Sequence, residues 1–552
     1  MMKTAKNMGL LMVAVLLLIL VTMLGGCNNE PVEKEPIRQH LNYALSTVPL
    51  TLDPGNLQDE ASFEFIKNIY EGLVRLKPDG TFENAMAETW EIEEQGKKHI
   101  FTIREASWTN GDKVTAYDFE YAIMRNLDPQ NNCPYAYILY DIKNAEGYNR
   151  SMDNDYSGKK ANKEDVGIEA IDEKTLVIKL QKPDPVFFKK LSHPAFYPLP
   201  QGIVISSATK LEEFFTPSNI IGNGSFKVVG KEQKGKYELV KNEKYWDCSQ
   251  IKLESMNWYL PKENKNGWEM FNSEVVDLTK DIPLSEVAGG LKKGTLKSSP
   301  LLSSYFYQYN VAEKPLDDKR VRQALSYALS REKLVKEYLK SGQKPALGLI
   351  PSGMPDRANE KGFWQTSKVK LPDNNMKEGQ RLLAEAGYPE GKDFPELELL
   401  ISEDVGHKYL AEKICDKWES ALGVKVKVVS LKWKELVQRI EDRDYDLVLM
   451  GWSADYADPT SFLKQYVKGK GNNYTGWVNS VYDEALKEAY ASNEEEVRMN
   501  ALHKAENVLL EELPVLPLYE YSSVYAMRKG VEGVYVSPLG DGIDFKWTYI
   551  SN

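Results

Sequence analysis

An α/β fold is what this 552-residue sequence predicts, and three observations carry the expectation. Apolar runs with strand character, ELELLIS, VKVKVVSL and YDLVLMGW, recur in the second half of the chain. Between them lie amphipathic stretches, HKYLAEKICDKWESAL and KELVQRIED, long enough to cross back over a sheet. Strand and helix alternating in this way build a parallel sheet with helical crossovers. The length also exceeds what one ordinary core fills, so roughly two to four domains are expected.

Composition narrows the function classes. Hydrophobic residues make up 42% and charged residues 27%, the balance of a folded globular chain. The net charge of −11 repels phosphate backbones and argues against a nucleic-acid partner.

The elements follow in chain order. Lys3 and Lys6 precede an uncharged, mostly apolar run from Gly9 to Leu24, which closes on Gly25-Gly26-Cys27. This resembles the signal peptide (residues 1–26) and lipobox of bacterial lipoproteins. The resemblance implies that Cys27 becomes a lipid-carrying first residue, with 27–39 as a tether, and that acyl chains hold the protein to a membrane. A plain transmembrane anchor is the competing reading. Gly-Gly-Cys at the end of the run, followed by the Pro-broken NNEPVEKEPIRQ, favours the leader. Cys133, Cys248 and Cys415 show no metal or redox spacing; one disulfide is allowed and none is required.

LNYALSTVPLTLDP predicts a strand and a Pro-marked turn, and ASFEFIKNIYEGLV, 61–74, a helix. KKHIFTIREASW alternates as a strand, Asn110-Gly111 turns, and Thr115 with Asp118 forms a capping box for AYDFEYAIMRNL. Residues 144–165 are polar loop, and TLVIKL is a strand. From about 220 to 305 short strands dominate, among them FKVVG, KYELVKN, MNWYLP and YFYQYNV. VRQALSYALSREKLVKEYLK predicts one amphipathic helix closed by Ser341-Gly342, and a second helix ends at Gly387.

Enzyme-type motifs fail one by one. GKEQKGK begins like a P-loop, but Tyr237 stands where a Ser or Thr must hold magnesium, so a hairpin is expected. DNDYSGKKANKE, 153–164, has calcium-loop spacing, yet Lys159 and Lys160 oppose a cation and a solvated loop is the default. The five histidines are scattered, and neither HExxH nor GxSxG occurs. No catalytic residue, metal or cofactor is expected.

GWSADYADPTSFL, 451–463, carries the binding expectation. Ligands of open α/β sheets gather beyond the carboxyl ends of strands, and Asp455 lies just past YDLVLMGW. A carboxylate beside Trp452 and Tyr456 suits an ammonium group, such as a peptide's amino terminus. Asp458 before Pro459 reads as a helix start.

Together with LDPGNLQDEASFEFIKNIYEGLVRLKPDG, FTIREASWTNGDKVTAYDFEYAIMR, NIIGNGSFKV, PLDDKRVRQALSYALSREKLV and LPVLPLYEY, this segment resembles the extracytoplasmic solute-binding proteins of peptide ABC transporters, bacterial extracellular family 5, in their oligopeptide-binding (OppA-like) branch. The likeness runs from about residue 40 to 550. It implies a two-lobed periplasmic-binding-protein-like fold of type II, cluster C, with an extra small domain and the ligand enclosed between lobes. The implied division is lobe I at 40–71, 196–305 and 520–552, the extra domain at 72–195, and lobe II at 306–519. It further implies that Asp455 takes the peptide's amino terminus. Main chain at Gly451–Ser453 and at Gln58, Asp59 and Glu60 would pair with the peptide like added strands. His193 and His407 fall where relatives line the pocket, with a packing imidazole as the competing reading. Tyr135, Tyr137, Trp452 and Tyr456 are candidate walls, with core packing as their competitor. Family members carry an arginine where this chain has Leu449; Arg439 and Arg443 are near in sequence. The implied protein is a monomeric, lipid-anchored carrier on the outer face of a Gram-positive membrane or in a periplasm. It would deliver oligopeptides to a permease and its ATPase subunits. Another solute on the same fold (a dipeptide, a cell-wall peptide or a nickel complex) and a peptidase are the alternatives.

Overall fold

The structure, a computed structural model, describes residues 38–552 apart from 207–210, 231, 262–265, 358–361, 404 and 470–472. The apolar leader, Cys27 and most of the tether lie outside the described residues.

β1 (His40–Ala44) alternates in burial and inserts in the middle of the main sheet. α1 (Glu60–Ile69) starts at Asp59, whose carboxylate accepts from Ser62 N at 2.9 Å. The sequence expected this helix to continue to Val74. It stops because the next backbone groups are captured from elsewhere: Gly224 N donates to Ile69 O at 2.9 Å and Glu71 N to Asn223 Oδ1 at 2.9 Å. Tertiary contacts here override helix propensity.

β2 (Ala87–Glu93), β3 (Lys98–Ile103), α2 (Ala116–Asn126), β4 (Ile168–Ala170) and β5 (Thr175–Lys179) form a separate antiparallel sheet in the order β2-β3-β5-β4, with α2 alongside. The capping box of Thr115 and Asp118 is present at the start of α2. β6 (Phe226–Val228) and β7 (Lys236–Lys241) make the expected hairpin across GKEQKGK. β8 (Ser255–Tyr259) and β9 (Leu278–Thr279) flank β1 in parallel.

β10 (Leu296–Tyr309) is far longer than the expected YFYQYNV strand. α3 (Lys319–Tyr327) ends early. Ser330 interrupts the single helix expected there and caps a second segment, and the buried Arg331 guanidinium is held by Pro517 O at 2.7 Å and Ser326 Oγ at 2.8 Å. Then come β11 (Leu397–Ser402), α4 (Val405–Leu422), β12 (Val426–Leu431), α5 (Trp433–Glu441), β13 (Leu447–Ser453), α6 (Thr460–Leu463), α7 (Ser480–Ala491), α8 (Glu495–Glu512) and β14 (Val515–Met527). β11 pairs in parallel with both β12 and β13, as the strand–helix alternation predicts.

One sheet, eleven-stranded among the described residues, runs in the order β12-β11-β13-β10-β14-β9-β1-β8-β7-β6, with Lys344–Pro345 pairing off β14. The antiparallel β10 and β14 connect its two halves, and their register shifts between Pro300 and Ser304, where a bulge bends the pair. Apolar side chains divide accordingly. One core draws on Leu41, Phe65, Phe101, Trp258 and Phe545; others draw on Tyr307, Leu399 and Trp418, and on Phe462, Leu502 and Leu509. Two lobes thus hang on two shared strands.

Candidate ligand-binding site

β13 ends at Ser453, beyond the carboxyl end of the parallel strands, and the chain turns through Ala454–Pro459 into α6. β13 pairs with β11 only at Leu447 and Val448, while Ser453, Trp452 and Gly451 face Ser303, Ser304 and Tyr305 of β10. Among the described residues no strand pairs the opposite edge of 449–453. Gly451 lies on the Tyr305 ring, where an added Cβ would stand 3.0 Å away.

Ser461 Oγ accepts from Asp455 N at 2.9 Å, which fixes the turn. The Asp455 carboxylate is 7% exposed. The Tyr137 hydroxyl, from the short helix Ala136–Leu139, donates to its Oδ1 at 2.9 Å, and Lys464 Nζ donates to Oδ2 at 3.2 Å. Burial, then Asp455 alongside, raises the Tyr137 phenol far above its ordinary pKa, so it stays a donor.

Asp455 opens on a cavity of about 210 Å³. One wall is Gln58, Asp59, Glu60, Phe63, Tyr135 and His193; the facing wall is Ser453, Ala454 and Asp455; Leu539, Gly540 and Asp541 close it. Its carboxylates are held individually. Asp59 caps α1, Glu60 pairs with Lys280 at 2.7 Å, and Asp541 pairs with Lys67 at 2.9 Å. His193 Nδ1 accepts from Ala195 N at 3.1 Å, and its ring lies 4.7 Å from Tyr135 and 5.6 Å from Phe63. Burial pushes its pKa down to about 3, which makes it a neutral wall.

The cavity therefore brings together Gln58, Asp59, Glu60, Tyr135, His193, Ser453 and Asp455. Tyr137 reaches Asp455 from the side. Tyr456, expected as a wall, is buried beneath Asp455, where Thr460 Oγ1 donates to its hydroxyl at 3.3 Å. His407 lies apart from the cavity, beside Ser402 Oγ at 3.1 Å and the Tyr305 ring at 5.9 Å. Trp452 is half-buried off the cavity, with an indole N–H that meets no acceptor among the described residues. Arg439 is paired with Glu398 at 2.7 Å and Asp444 at 2.9 Å, and Arg443 donates to Asn473 O at 3.3 Å. Glu398 is the second residue of β11 and Asp444 precedes β13, so Arg439 serves the amino ends of the strands, opposite Asp455. Leu449 is buried across from Tyr307.

Asp458 is more than a helix start. Fully buried, it takes Arg498 through two hydrogen bonds of 2.9 and 2.5 Å and Lys189 at 2.9 Å. Burial raises its pKa, but Lys189 and Arg498 outweigh that and hold it well below the carboxylate range. Phe63, the Leu539–Asp541 turn and Lys464 escaped the sequence reading. The glycine-flanked Asp in PLGDG was the available signal for Asp541, since both Gly540 and Gly542 have positive φ.

A larger depression of about 690 Å³ beside the four-stranded sheet gathers Lys143, Lys163 and Lys179 with Glu120, Glu164, Asp165 and Glu169. It shares no lining residue with the cavity at Asp455 and is charge-mixed. In the 153–164 loop, Asp153 is held by Arg150 at 2.6 Å, and no cluster of metal-ligating side chains forms among the described residues. Cys133, Cys248 and Cys415 are free thiols.

Comparison with known proteins agrees with this architecture. The sequence profile of the bacterial extracellular solute-binding proteins, family 5 (Middle), matches residues 81–474. The oligopeptide-binding protein OppA of Bacillus subtilis is 31% identical, covering 96% of this chain and 97% of its own. The dipeptide-binding protein DppE of the same organism is 33% identical over 90% of each. Among solved structures, the unliganded open form of the murein tripeptide-binding protein MppA, an Escherichia coli protein, superposes with a TM-score of 0.79 at 27% identity. That superposition covers 94% of this chain and 98% of the other. The two-lobed binding-protein fold implied by the resemblance is the fold of this chain.

Proposed function

Because this chain belongs to the bacterial extracellular solute-binding proteins, family 5, and is a binding protein and not an enzyme, we propose that it captures extracellular oligopeptides by lobe closure and delivers them to an ABC permease. The observation that carries the reading is the cavity at Asp455, walled from both lobes, with a carboxylate at the end of a strand whose edge at 449–453 pairs with no other strand among the described residues. In this reading Asp455 holds the peptide's ammonium group. The open edge of Gly451–Ser453 and the Gln58–Glu60 segment pair with the peptide main chain, which binds without reading side chains. Tyr135 and His193 supply apolar walls. The lobe and extra-domain boundaries read from the sequence, and a lipid anchor at Cys27, belong to the same proposal. At about 210 Å³ the cavity is smaller than clefts for drug-sized ligands, roughly 300–1,000 Å³, so a peptide of several residues requires the lobes to part further.

A cell-wall peptide is the second reading, favoured by the fold likeness to the murein tripeptide-binding protein. Titrating the purified, ligand-stripped protein with a pentapeptide, a murein tripeptide and nickel, followed by tryptophan fluorescence, separates these. Saturable pentapeptide binding supports the proposal. Binding of the tripeptide alone supports the second reading, and binding of neither peptide overturns both.

A further inference from the structure

Resting on that reading, we infer that Lys464 is a specificity-determining residue: an internal ammonium that shares Asp455 with the ligand and lets the site accept peptides with blocked as well as free amino termini. Lys464 begins a short turn after α6, four residues beyond Thr460, at the opening of KQY. Its Nζ stands 3.2 Å from Asp455 Oδ2, 4.9 Å from the Tyr456 ring centre and 5.4 Å from that of Tyr137. An ammonium held by a carboxylate and lying over aromatic faces is how proteins recognise such a group. Here the chain supplies that ammonium itself.

Two consequences follow. A peptide's amino group must draw on a carboxylate already neutralised from another side, and the two cations repel across it. The gain from a free amine is thereby reduced. Conversely, an N-acylated peptide does not strand Asp455 as a lone buried charge, the situation that makes removing one partner of a buried pair so costly. Lys464 is not a wall of the cavity, so it acts through Asp455 and leaves the space for the ligand unchanged.

The test compares affinities for one pentapeptide in free and N-acetylated form, in the wild-type protein and in Lys464→Met, Lys464→Gln, Lys464→Arg and Asp455→Asn. The wild-type preference for the free amine is expected to be modest, about tenfold. It should rise by about another tenfold in both neutral variants, stay unchanged in Lys464→Arg, and be lost or reversed in Asp455→Asn, where Lys464 remains as a like charge beside the amine. Lys464 is 27% exposed, so the neutral variants are expected to fold; if Met disrupts the turn, Gln keeps the comparison. An unchanged or smaller preference in the neutral variants, with Asp455→Asn abolishing it, overturns the role of Lys464 and leaves Asp455 as the anchor. A preference that survives Asp455→Asn overturns the anchor itself.

Discussion

Replacing Asp458 with Asn isolates the buried ion cluster beneath the site. The wild-type carboxylate is fully buried and accepts from Arg498, Lys189 and Thr460 N, the last at 3.1 Å. Arg498 is itself only 5% exposed, so the amide leaves a buried guanidinium without its counter-charge. Breaking one partner of such a pair costs about 3–5 kcal/mol. Lys189 is 25% exposed and can turn to water, so its share is smaller, about 1 kcal/mol or less. For a compact unit that runs from Gln39 to Ser551, an unfolding entropy of about 2.1 cal/mol/K per residue makes 1 kcal/mol worth about 1 °C of Tm, which puts the loss at about 4–6 °C. Because the folded pKa of Asp458 is depressed, its contribution is complete above the unfolded value of about 3.9 and is lost as pH falls below it. Differential scanning calorimetry of the wild type, Asp458→Asn, Arg498→Met and a paired Asp458→Leu/Arg498→Met variant measures this. The double variant should recover much of the loss, since the stranded charge is gone. A single-variant loss below about 1 kcal/mol, or a double variant as unstable as the two singles summed, refutes the argument.

Glu506 carries the opposite pH dependence. It is buried and accepts from Ile350 N at 3.0 Å, and burial pushes its pKa up to about 7. The folded state therefore holds this proton more tightly than the unfolded chain. Stability from this group is full below about 4.3 and falls as pH rises toward 7. Glu506→Gln should match the wild type at pH 4 and exceed it by a few kcal/mol at pH 8 in urea denaturation; no pH-dependent gap would refute this. Gly222→Ala should destabilise by about 1–3 kcal/mol, because its Cβ would meet Ile69 O at 2.0 Å; thermal unfolding within 1 °C of the wild type would contradict that.

Patterns that depend on local periodicity were legible in the sequence. From Leu397 to Ser453 short apolar strand runs, buried on both faces, alternate with amphipathic helices, and that pattern alone puts Asp455 beyond a strand end. β10 was read too short because Pro300 and paired serines interrupt its alternation, although a bulge accommodates them. The helix after Lys319 was read too long because Ser330 and Arg331 fit its pattern, while the groups that hold Arg331 lie elsewhere in the chain. The charge partners of the site were not legible for a related reason. Asp458 meets Arg498 across 40 residues and Lys189 across 269, and no spacing rule encodes such pairs. Tyr456 stood as a candidate wall with core packing as its competitor, because aromatic residues beside an Asp suit either role, and its burial is not encoded in spacing. The IGNGSF stretch that marks the resemblance serves the fold: Asn223 Nδ2 donates to Glu71 O at 3.0 Å, and Gly222 and Gly224 let this loop touch the end of α1.

The measurement that bears most directly on the central claim is calorimetric titration of the ligand-stripped wild type and Asp455→Ala with a free-amine pentapeptide. Loss of the carboxylate removes the ammonium's partner and leaves Lys464 as a like charge beside it. Affinity is expected to fall by about two to four decades with Tm essentially kept. Equal affinity in the two proteins would contradict the account, because the peptide's amino terminus would then be held somewhere other than at Asp455.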